Sequence, residues 1–397
     1  MNKILMACAN YWLSPFQVGS HHLARALARQ GWEVGFVSDP ISPIHLLGGR
    51  NDQLKERYRL YRREGGRFFN GTIWAWVPGA VLTPHNKPIL RSDWVWWNWS
   101  KLAYPSVPSV VGHHGFGAVD CLYLDSPIHL SWLDGLRFRK SVYRVADNPS
   151  GFHKYVKTYD EIEQEVARRV DLVVYSARTL QERVEGLRPK LMHYLPNGVD
   201  VGHFMGGTSG RPPEYGRIPK PIAVYVGAMD QWFDYELINH LSVTLQTVSF
   251  VLIGPDEMAR RRIIPRPNVH LLGRRSYQDL PGYLHHATVG IIPFDVARHG
   301  KLVNSIHPLK LYEYLACGLP VVSVEWDELR ALNSPAILCR SVEGFVDALV
   351  RAVSEVGDPK PRIHYAGAHD WSQRAAELMR LLGLDERTGE AVRPVPA

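Results

Sequence analysis

Cysteine is scarce in this chain of 397 residues, and its four cysteines form no familiar redox or zinc motif. Cys8, Cys121, Cys317 and Cys339 include no C-x-x-C pair and no spacing that is typical of zinc ligands. A chain of this length with so few cysteines is typical of a reducing compartment in which thiols stay buried. The sequence therefore predicts a cytoplasmic protein.

Long hydrophobic runs are also missing. No stretch of about 18 apolar residues occurs, so the sequence predicts no membrane-spanning helix. The apolar run at residues 4–9 is shorter than the ~7–15 residues of a signal peptide, and we interpret it as a buried strand. Neither an H-E-x-x-H spacing nor a G-x-G-x-x-G fingerprint is present, which argues against a metal site and a dinucleotide cofactor.

Two rounds of strand–helix alternation dominate the chain. KILMACA (3–9) is followed by a helix-like stretch, with Ser20 as a candidate N-cap and Gly31 at its end, and then by the strand-like WEVGFVSD. DLVVYSA and MHYLPNGVD (192–200) indicate the last strands of this first round. The alternation restarts at IAVYVGAMD (222–230), so the sequence predicts two parallel α/β domains.

The domain limits follow from composition. Residues 205–221 are rich in Gly, Pro and Ser and are the best candidate linker. We expect an N-terminal domain over 1–204 and a second domain over 205–368, since single cores stop growing at roughly 250–300 residues. HDWSQRAAELMRLLGLD (369–385) predicts an amphipathic helix, and 386–397 a disordered tail.

The positive charge is concentrated in the first half. Residues 1–200 hold 25 Lys and Arg against 18 Asp and Glu, whereas residues 201–397 hold 21 of each. This imbalance favours an anionic partner for the first half, such as a membrane surface, a lipid phosphate or nucleic acid. A basic surface without any such partner is the alternative.

The segment SIHPLKLYEYLACGLPVVS is typical of a phosphate-binding helix. Pro308 suits the first helical turn and Gly318 the helix end, which predicts a helix over about 308–317. A helix N-terminus attracts anions, and Lys310 adds a full charge there. Glu313, one turn further, can hold the hydroxyls of a ribose. The alternative is a surface salt bridge between the two side chains, worth only ~0.3 kcal/mol.

In order and spacing, several segments of residues 170–380 resemble the GT-B glycosyltransferases. The matching segments are PNGVD (196–200), AVYVGAM (223–229), VLIG (251–254), LLG (271–273), VGIIPF (289–294) and PLKLYEYLACGLPVV (308–322). The resemblance implies two facing Rossmann-like domains, a donor nucleotide sugar in the second, an acceptor in the first, a final helix that crosses back, and no metal ion. The donor-binding residues it implies are Gly227, Met229, Phe294, His307, Pro308, Leu309, Lys310 and Glu313.

The chain departs from the family pattern at two places. A second carboxylate usually stands eight residues before Glu313, and here that position is Ser305. The basic residue that is common after the first strand of the second domain is replaced by AMDQWFD, which offers Asp230 and Asp234 instead. Because members that retain anomeric configuration typically keep both carboxylates, the resemblance implies an inverting enzyme with a general base from elsewhere.

The segment YRVADNPSGF (143–152) supplies the candidate base. Asp147 follows a strand-like piece directly, and the carboxyl ends of strands are where α/β enzymes place reactive groups. The segment resembles the corresponding stretch of bacterial exopolysaccharide transferases, in particular the xanthan-type β-glucuronosyltransferase, and of teichuronic-acid transferases. The resemblance implies that Asp147 is the base; the alternative is an aspartate that caps the turn before Asn148.

Histidines and glycines in the first half offer rival or additional sites. His113 and His114 follow SVPSVVG, which we interpret as a strand, and could act as the base, hold the donor or contact the acceptor; packing at a strand end is the alternative. Gly19 lies at the start of the first helix and could contact the acceptor. His21 and His22 are close to it, and we expect a surface location for them.

Tryptophans beside basic residues point to a membrane surface. DWVWWNWSK (93–101) holds four tryptophans, and residues 50–69 hold seven basic residues against three acidic ones. Indoles and cations together are typical of peripheral binding to an anionic membrane. A buried aromatic core and stacking on single-stranded nucleic acid are the alternatives.

Together these patterns predict a cytoplasmic GT-B glycosyltransferase at the inner face of the membrane. We expect a UDP-sugar donor, a lipid-linked or polysaccharide acceptor, no cofactor and no nucleic acid. For a glucuronate donor, Lys301 or Arg274 could supply the extra cation. A retaining transferase or a UDP-sugar epimerase is the alternative within the fold, and a non-catalytic binder of glycan or nucleic acid is the alternative of another class.

Overall fold

The structure is a computed structural model that describes residues 1–47, 52–88, 90–149, 156–206, 210–355 and 357–385. Its contacts divide the chain into two compact units. Unit 1 holds Met1–Ser14, Val18–Pro196 and the residues from Ser372 on, and unit 2 holds Asn197–Trp371 together with Pro15–Gln17. The units change at Pro196, whereas the composition of the sequence placed the boundary after residue 204.

Unit 1 is built on an eight-stranded sheet. In chain order its strands are β1 (Lys3–Cys8), β2 (Glu33–Ser38), β3 (Gly66–Phe68), β4 (Ile73–Trp76), β5 (Ala118–Leu124), β6 (Arg137–Val145), β7 (Leu172–Tyr175) and β8 (Met192–Tyr194). The strand order is β3-β4-β2-β1-β5-β6-β7-β8, and every pair is parallel except β3–β4. The carboxyl ends of β1, β2, β5 and β6 therefore lie along the same edge of this sheet.

The helices of unit 1 cover its sheet. They are α1 (Gly19–Arg29), α2 (Pro43–Leu47), α3 (Asp52–Arg62), α4 (Asp93–Asn98), α5 (Val107–Val111), α6 (Trp132–Gly135), α7 (Lys157–Arg169) and α8 (Gln181–Gly186). The helix end predicted at Gly31 is confirmed: Gln30 is the C-cap, and Gly31 after it has a φ of 85°, which a residue with a side chain rarely adopts. The predicted N-cap is wrong, because Val18 precedes α1 and the hydroxyl of Ser20 bonds to side chains of the sheet instead.

Unit 2 is a second α/β unit with an all-parallel sheet in the order β11-β10-β9-β12-β13-β14. Its strands are β9 (Ile222–Val226), β10 (Ser249–Ile253), β11 (Val269–Gly273), β12 (Val289–Ile292), β13 (Val321–Val324) and β14 (Ile337–Cys339). Its helices are α9 (Val201–Met205), α10 (Tyr235–Thr244), α11 (Ala259–Arg262), α12 (Leu280–His285), α13 (Val296–Val303), α14 (Leu309–Ala316), α15 (Asp327–Ala331), α16 (Val342–Ser354) and α17 (Lys360–Gly367). The strand–helix alternation predicted from residue 222 on is confirmed.

Two stretches differ from their predicted form. The strand expected over 192–200 ends at Tyr194, because Pro196 has no N–H to donate to a ladder. The stretch 205–221 is more than a linker, since Tyr215 and Ile218 are buried in the core of unit 2. Residues 207–209 within it lie outside the described residues.

The predicted amphipathic helix at the C-terminal end is confirmed as α18 (Trp371–Leu381). Its apolar side chains Trp371, Ala375 and Leu378, and Leu382 just after it, are buried. The tail expected at 386–397 lies outside the described residues. None of the described helices is both long and apolar enough to span a bilayer.

The tryptophan stretch is divided between core and surface. It forms α4 and the turn that follows, and helical spacing puts Trp96 and Trp99 on the buried side. Trp94 and Trp97 are 58% and 42% exposed. Each of the two interpretations of this stretch is therefore correct for two of its four indoles: two lie in the core and two are exposed.

Candidate functional site

The first feature of the candidate site in unit 2 is a close approach of two strand ends. Gly227 follows β9 and Gly254 follows β10, with φ of 149° and 151°. Gly227 donates its N–H to the carbonyl of Ile253 at 2.9 Å. A Cβ added at Gly254 would lie 1.9 Å from the carbonyl oxygen of Gly227. These loops therefore require glycine, which keeps the edge of the sheet open for a ligand.

Two tyrosines fix the loop that begins at Gly227. The hydroxyl of Tyr225 donates to the carbonyl of Ala228 at 2.8 Å, and that of Tyr235 donates to the carbonyl of Met229 at 2.7 Å. The Met229 side chain is itself buried. The backbone of this loop is therefore held in one conformation, which sequence reasoning did not anticipate.

The helix predicted at about 308–317 is confirmed as α14, with its limits shifted by one residue. Pro308 occupies the N-cap position and Leu309 begins the helix. The helix ends at Ala316, and Gly318 adopts the φ of 75° expected after a C-cap. Lys310 is the second helical residue, so its side chain belongs to the turn in which backbone N–H groups are unpaired.

Lys310 lies under the loop of Gly227. Its ammonium group is 4.8 Å from the ring centroid of Phe294 and 5.4 Å from that of Tyr225. Its Cε lies 3.1 Å from where a Cβ of Gly227 would be. Burial lowers the pKa of Lys310 to about 8, and the nearby carboxylate of Glu313 acts in the opposite direction. The sequence has no basic residue directly after β9. In the structure Lys310 of α14 supplies a cation beside Gly227 instead.

Glu313 lies one turn further along α14 and is half-buried. Burial raises its pKa to about 7, and Lys310 acts against this shift. Near neutral pH the pair thus combines a cation with a carboxyl group that is close to its titration point. A diphosphate and a ribose present the complementary groups, namely anionic oxygens and hydroxyls.

The remaining residues implied for the donor have supporting positions. His307 is buried, its Nε2 lies 3.2 Å from the hydroxyl of Tyr312, and its carbonyl accepts from Asn197 at 2.8 Å. Ser305 donates its hydroxyl to the carbonyl of Leu302. This neutral side chain therefore does not replace the missing carboxylate.

Phe294 is only 1% exposed and packs against Trp326 with 5.4 Å between ring centroids. One face of Phe294 receives the ammonium of Lys310, so its ring fixes that cation. It also borders a cavity of about 500 Å³ that Glu325 and Arg330 line as well.

The two aspartates after β9 have structural partners. Asp234 caps α10 by accepting the N–H of Leu237 at 2.9 Å, and Asp230 accepts the N–H of Gln231 at 2.7 Å. Of the cations considered for a glucuronate, Arg274 lies 3.7 Å from Glu257 and Lys301 is exposed.

In unit 1, Asp147 follows the last residues of β6. The carbonyl of the preceding residue, Ala146, accepts the hydroxyl of Ser176 at 2.8 Å, which anchors the chain where it leaves the sheet. The Asp147 side chain is exposed. Desolvation by the surrounding protein raises the pKa of Asp147. Arg144 acts against this shift, and Asp125 adds to it. Residues 150–152 of the predicted turn lie outside the described residues.

Two further aspartates occupy the same edge of the sheet, and sequence reasoning missed both. Asp125 follows β5; its oxygens accept the N–H of Ala9 at 2.7 Å and the hydroxyl of Ser20. Asp39 follows β2, and its Oδ1 lies 3.1 Å from Nε2 of the buried His129. The signal was available, since each aspartate stands directly after a buried strand in the sequence.

The prediction that His113 and His114 end a strand is wrong. SVPSVVG forms α5, because Ser106 precedes the helix and Pro108 occupies its first turn. The two histidines then precede β5, where His114 stacks on Trp74 with 4.6 Å between centroids. They therefore lie at the amino end of the strand whose carboxyl end carries Asp125, away from the edge that holds Asp147.

Gly19 is buried and begins α1. The surface location expected for His21 and His22 is wrong, since both are buried. His21 bonds to the backbone of Val18 and Tyr11, and burial lowers its pKa to about 4. It is a neutral structural residue that holds the loop before α1.

The described residues contain no group of three or more His, Cys, Asp or Glu side chains arranged to hold a metal ion. The edge of the unit 1 sheet that carries Asp39, Asp125 and Asp147 presents carboxylates. The edge of the unit 2 sheet presents an anion site beside a carboxyl group.

Family models match both halves of the chain. Residues 6–176 match the model described as "Glucuronosyltransferase GumK, N-terminal domain", and residues 220–355 match "Glycosyl transferases group 1". Sucrose-phosphate synthase from Thermosynechococcus elongatus superposes with a TM-score of 0.67 at 16% identity, over 96% of this chain and 98% of that one. These findings show that the chain has the GT-B fold and is a glycosyltransferase.

Within that class, the chain is similar to a teichuronic acid glycosyltransferase and to a protein whose structure contains UDP-glucose. TuaH of Bacillus subtilis, named for teichuronic acid biosynthesis, is 23% identical over 247 residues. That match spans 58% of this chain and 61% of the relative. The structure of Anabaena HepE in complex with UDP-glucose has a TM-score of 0.62 at 15% identity, over 96% of this chain and 99% of that chain.

Proposed function

We propose that the protein transfers a sugar from a UDP-sugar to a hydroxyl group of a glycan acceptor. The observation that carries this proposal is the position of Lys310, in the first turn of α14 and within reach of the Gly227 loop. A half-buried cation in the first turn of a helix, beside the N–H groups of the helix N-terminus, is an anion site. HepE, which shares the fold, is described in complex with UDP and with UDP-glucose.

On the donor side, Lys310 and the backbone N–H groups of the first turn of α14, which begins at Leu309, bind the diphosphate. Glu313 accepts the ribose hydroxyls, and the loop from Gly227 to Met229 borders the phosphates. Charge-assisted hydrogen bonds of this kind contribute about 1.5–3 kcal/mol each, so two of them suffice for micromolar to millimolar affinity together with base contacts. The donor is a UDP-sugar, and glucuronate is the proposed sugar because the GumK model matches the first half.

On the acceptor side, Asp147 is the proposed general base. The acceptor oxygen attacks the anomeric carbon while the bond from that carbon to the diphosphate oxygen breaks. The proton of the acceptor hydroxyl passes to the carboxylate of Asp147, and UDP leaves with the electron pair of the broken bond. A single displacement of this kind inverts the anomeric configuration, needs no second carboxylate at Ser305 and needs no metal ion.

The acceptor we propose is a lipid-linked oligosaccharide or polysaccharide of the cell envelope. The names of the GumK family model and of TuaH support a role in exopolysaccharide or teichuronic-acid assembly. Trp94 and Trp97 are exposed on α4, and the first half carries the net positive charge. These features support peripheral attachment to the anionic inner face of the membrane.

A screen of UDP-sugars tests this function. The donor should raise the thermal midpoint of the protein and UDP alone should do so too, whereas ADP-sugars should not. Transfer to a lipid-linked glycan with inverted configuration supports the proposal. Release of an epimerised UDP-sugar identifies an epimerase, retention of configuration excludes Asp147 as a direct base, and glycan binding without nucleotide binding identifies a non-catalytic binder.

A further inference from the structure

An apolar pocket lies at the edge of the unit 1 sheet that also carries Asp147, and the proposed mechanism does not use it. Its volume is about 280 Å³, close to the lower end of the ~300–1,000 Å³ of small-molecule sites. The chain segments that follow β2 and β4 form it together with α3. Because β2, β4 and β6 run parallel in the sheet, their carboxyl ends lie on the same edge. The pocket is therefore on the side of the sheet where the acceptor reacts in the proposed mechanism.

Hydrogen bonds and close packing fix the walls of this pocket. The N–H of Ala80 donates to the carbonyl of Ile41 at 2.9 Å, which joins the segment after β4 to the segment after β2. From α3, the hydroxyl of Tyr61 donates to the carbonyl of Tyr104 at 3.0 Å. The Tyr61 ring also packs so closely on Gly79 that a Cβ added there would lie 2.3 Å from it. The walls are thus fixed without a ligand, which limits the entropy cost of binding.

The interior of the pocket favours an apolar ligand. Two hydroxyl groups among its lining residues are already hydrogen-bonded within the protein, that of Tyr61 as described and that of Ser42. The Ser42 hydroxyl accepts that of Thr83 at 3.2 Å and lies 3.0 Å from Nδ1 of His45. Much of the remaining lining is aliphatic, and its side chains include Ile41, Leu54, Ala80, Val81 and Leu102. A polar ligand group placed among them would lose its hydration without an equivalent partner.

The rim of the pocket is apolar and exposed. Tyr58, Val81 and Tyr104 line the pocket and are 40%, 63% and 79% exposed. Exposed apolar side chains that adjoin one another and a cavity are typical of a binding site. The rim also follows directly on the tryptophan stretch, because the N–H of Val81 donates to the carbonyl of Leu102 at the end of that segment.

A stripe of cations runs along α3 beside the pocket. Leu54, Tyr58 and Tyr61 line the pocket from one face of this helix. The residue after each of them is basic and exposed, and these three are Lys55, Arg59 and Arg62. Successive residues lie about 100° apart around a helix, so the cations form a parallel row next to the lining residues. Lys55 pairs with Asp52 at 2.9 Å, so the net positive charge of the row comes from the two arginines.

We propose that this pocket binds part of the apolar chain of the acceptor lipid, while Arg59 and Arg62 contact the phosphate groups that join this lipid to the glycan. An apolar cavity bordered by cations is complementary to an apolar chain with an anionic head. The inference rests on the proposed function, in which the acceptor is a lipid-linked glycan.

The position of the pocket favours the acceptor lipid over a phospholipid of the bilayer. A chain held here leaves the attached glycan along the edge that carries Asp147. From β4 to β6 the sheet order β4-β2-β1-β5-β6 spans four strand spacings, or about 19 Å at ~4.8 Å each. The glycan between the lipid phosphate and the reacting hydroxyl has to cover this distance, so we expect an acceptor with more than one sugar ring.

Binding of decyl phosphate, measured by isothermal titration below its micelle concentration, tests the pocket. Tyr58→Ser and Val81→Ser should each weaken binding by about 3–10-fold, because each removes apolar contact. Leu191→Ser is the matched control and should bind as the wild type does. Leu191 is 64% exposed, as Val81 is 63%, but it directly precedes β8 at the opposite edge of the sheet.

The cationic row is tested with the double variant Arg59→Gln and Arg62→Gln. It should weaken binding of decyl phosphate by about 3–10-fold at low salt and leave binding of decanol unchanged, because only the phosphate carries a charge. Arg168→Gln is the control, since Arg168 is likewise an exposed arginine of a unit 1 helix but lies near the end of α7. An equal effect on decyl phosphate and decanol would overturn the phosphate contact.

A transfer assay links the pocket to the acceptor. The ratio of kcat/KM for a glycan on decyl diphosphate to kcat/KM for the same glycan without lipid should fall in Tyr58→Ser and Val81→Ser and stay constant in Leu191→Ser. Circular dichroism verifies that the variants are folded.

Decyl phosphate binding that is the same in the wild type, Tyr58→Ser and Val81→Ser overturns the inference. Weaker binding without a fall in the kcat/KM ratio identifies a bilayer phospholipid as the occupant and overturns the assignment to the acceptor. If no acceptor receives sugar from any UDP-sugar, the proposed function fails instead, and the titration with decyl phosphate still decides whether the pocket binds a lipid chain.

Discussion

The ammonium group of Lys310 lies 4.8 Å from the centre of the Phe294 ring, in the first turn of α14 and beside the loop that begins at Gly227. The aromatic face holds a cation whose pKa burial has lowered to about 8. Such a site favours an anion. Burial disfavours the charged form of Lys310, and the negative charge of a diphosphate stabilises that form. The donor half of the proposed function depends on this relationship.

Replacement of Lys310 by methionine should weaken UDP binding by about 10–100-fold. The variant keeps the buried stem but loses a charge-assisted interaction of about 1.5–3 kcal/mol with the diphosphate. Isothermal titration with UDP and with uridine measures the effect. Uridine lacks the diphosphate and should bind both proteins equally, so an equal loss for the two ligands contradicts a phosphate role.

Glu313→Gln should reduce affinity for UDP but not for 2′,3′-dideoxy-UDP. A carboxylate that accepts ribose hydroxyls contributes about 1.5–3 kcal/mol, which corresponds to a loss of about tenfold or more. The comparison of the two nucleotides isolates the ribose contact from any change in the protein. Equal losses for both nucleotides would indicate that Glu313 acts through Lys310 alone.

Binding of UDP-glucose should have a pH optimum between about 7 and 8. The carboxyl group of Glu313, whose pKa is raised to about 7, is a full acceptor only above that value. Lys310, whose pKa is lowered to about 8, loses its charge as the pH rises further. UDP-glucose serves as the probe because its diphosphate keeps its charge over this range. Glu313→Gln should abolish the acid limb and Lys310→Met the alkaline limb, and a flat profile for the wild type would contradict both assignments.

Gly254→Ala should destabilise unit 2 by at least about 1–3 kcal/mol, because the new Cβ meets the carbonyl oxygen of Gly227 at 1.9 Å and the backbone has a φ of 151°. Thermal unfolding followed by UDP binding measures both stability and site integrity. Gly367→Ala in α17 is the matched control, because no heavy atom lies within 4 Å of its added Cβ. That variant should be as stable as the wild type or slightly more so, and equal behaviour of the two variants would mean that the strand ends can separate.

Local signals explain which parts of the fold were predicted from the sequence. The limits of α14 follow from Pro308 and Gly318, which act within one turn of the chain. SVPSVVG misled the prediction because its valines favour a strand, whereas Pro108 in the first turn and the packing of Val110 and Val111 favour a helix. Propensity is weak beside burial, so such a short apolar run is decided by tertiary contacts.

Non-local pairing explains what the sequence did not reveal about the candidate site. Asp125 and Arg144 become neighbours only through the register of β5 and β6, which no local pattern specifies. Likewise, the basic residue missing after β9 is supplied by Lys310, more than 80 positions further along the chain. The sequence could indicate single residues at strand ends, but their partners depend on the assembled sheet.

The rate of sugar transfer by Asp147→Asn tests the central claim most directly. The variant should lose about 10²–10⁴-fold in kcat, because an amide cannot accept the proton of the acceptor hydroxyl. Its thermal stabilisation by UDP should equal that of the wild type, since the donor residues belong to unit 2. An Asp147→Asn enzyme that transfers sugar at the wild-type rate would contradict the account.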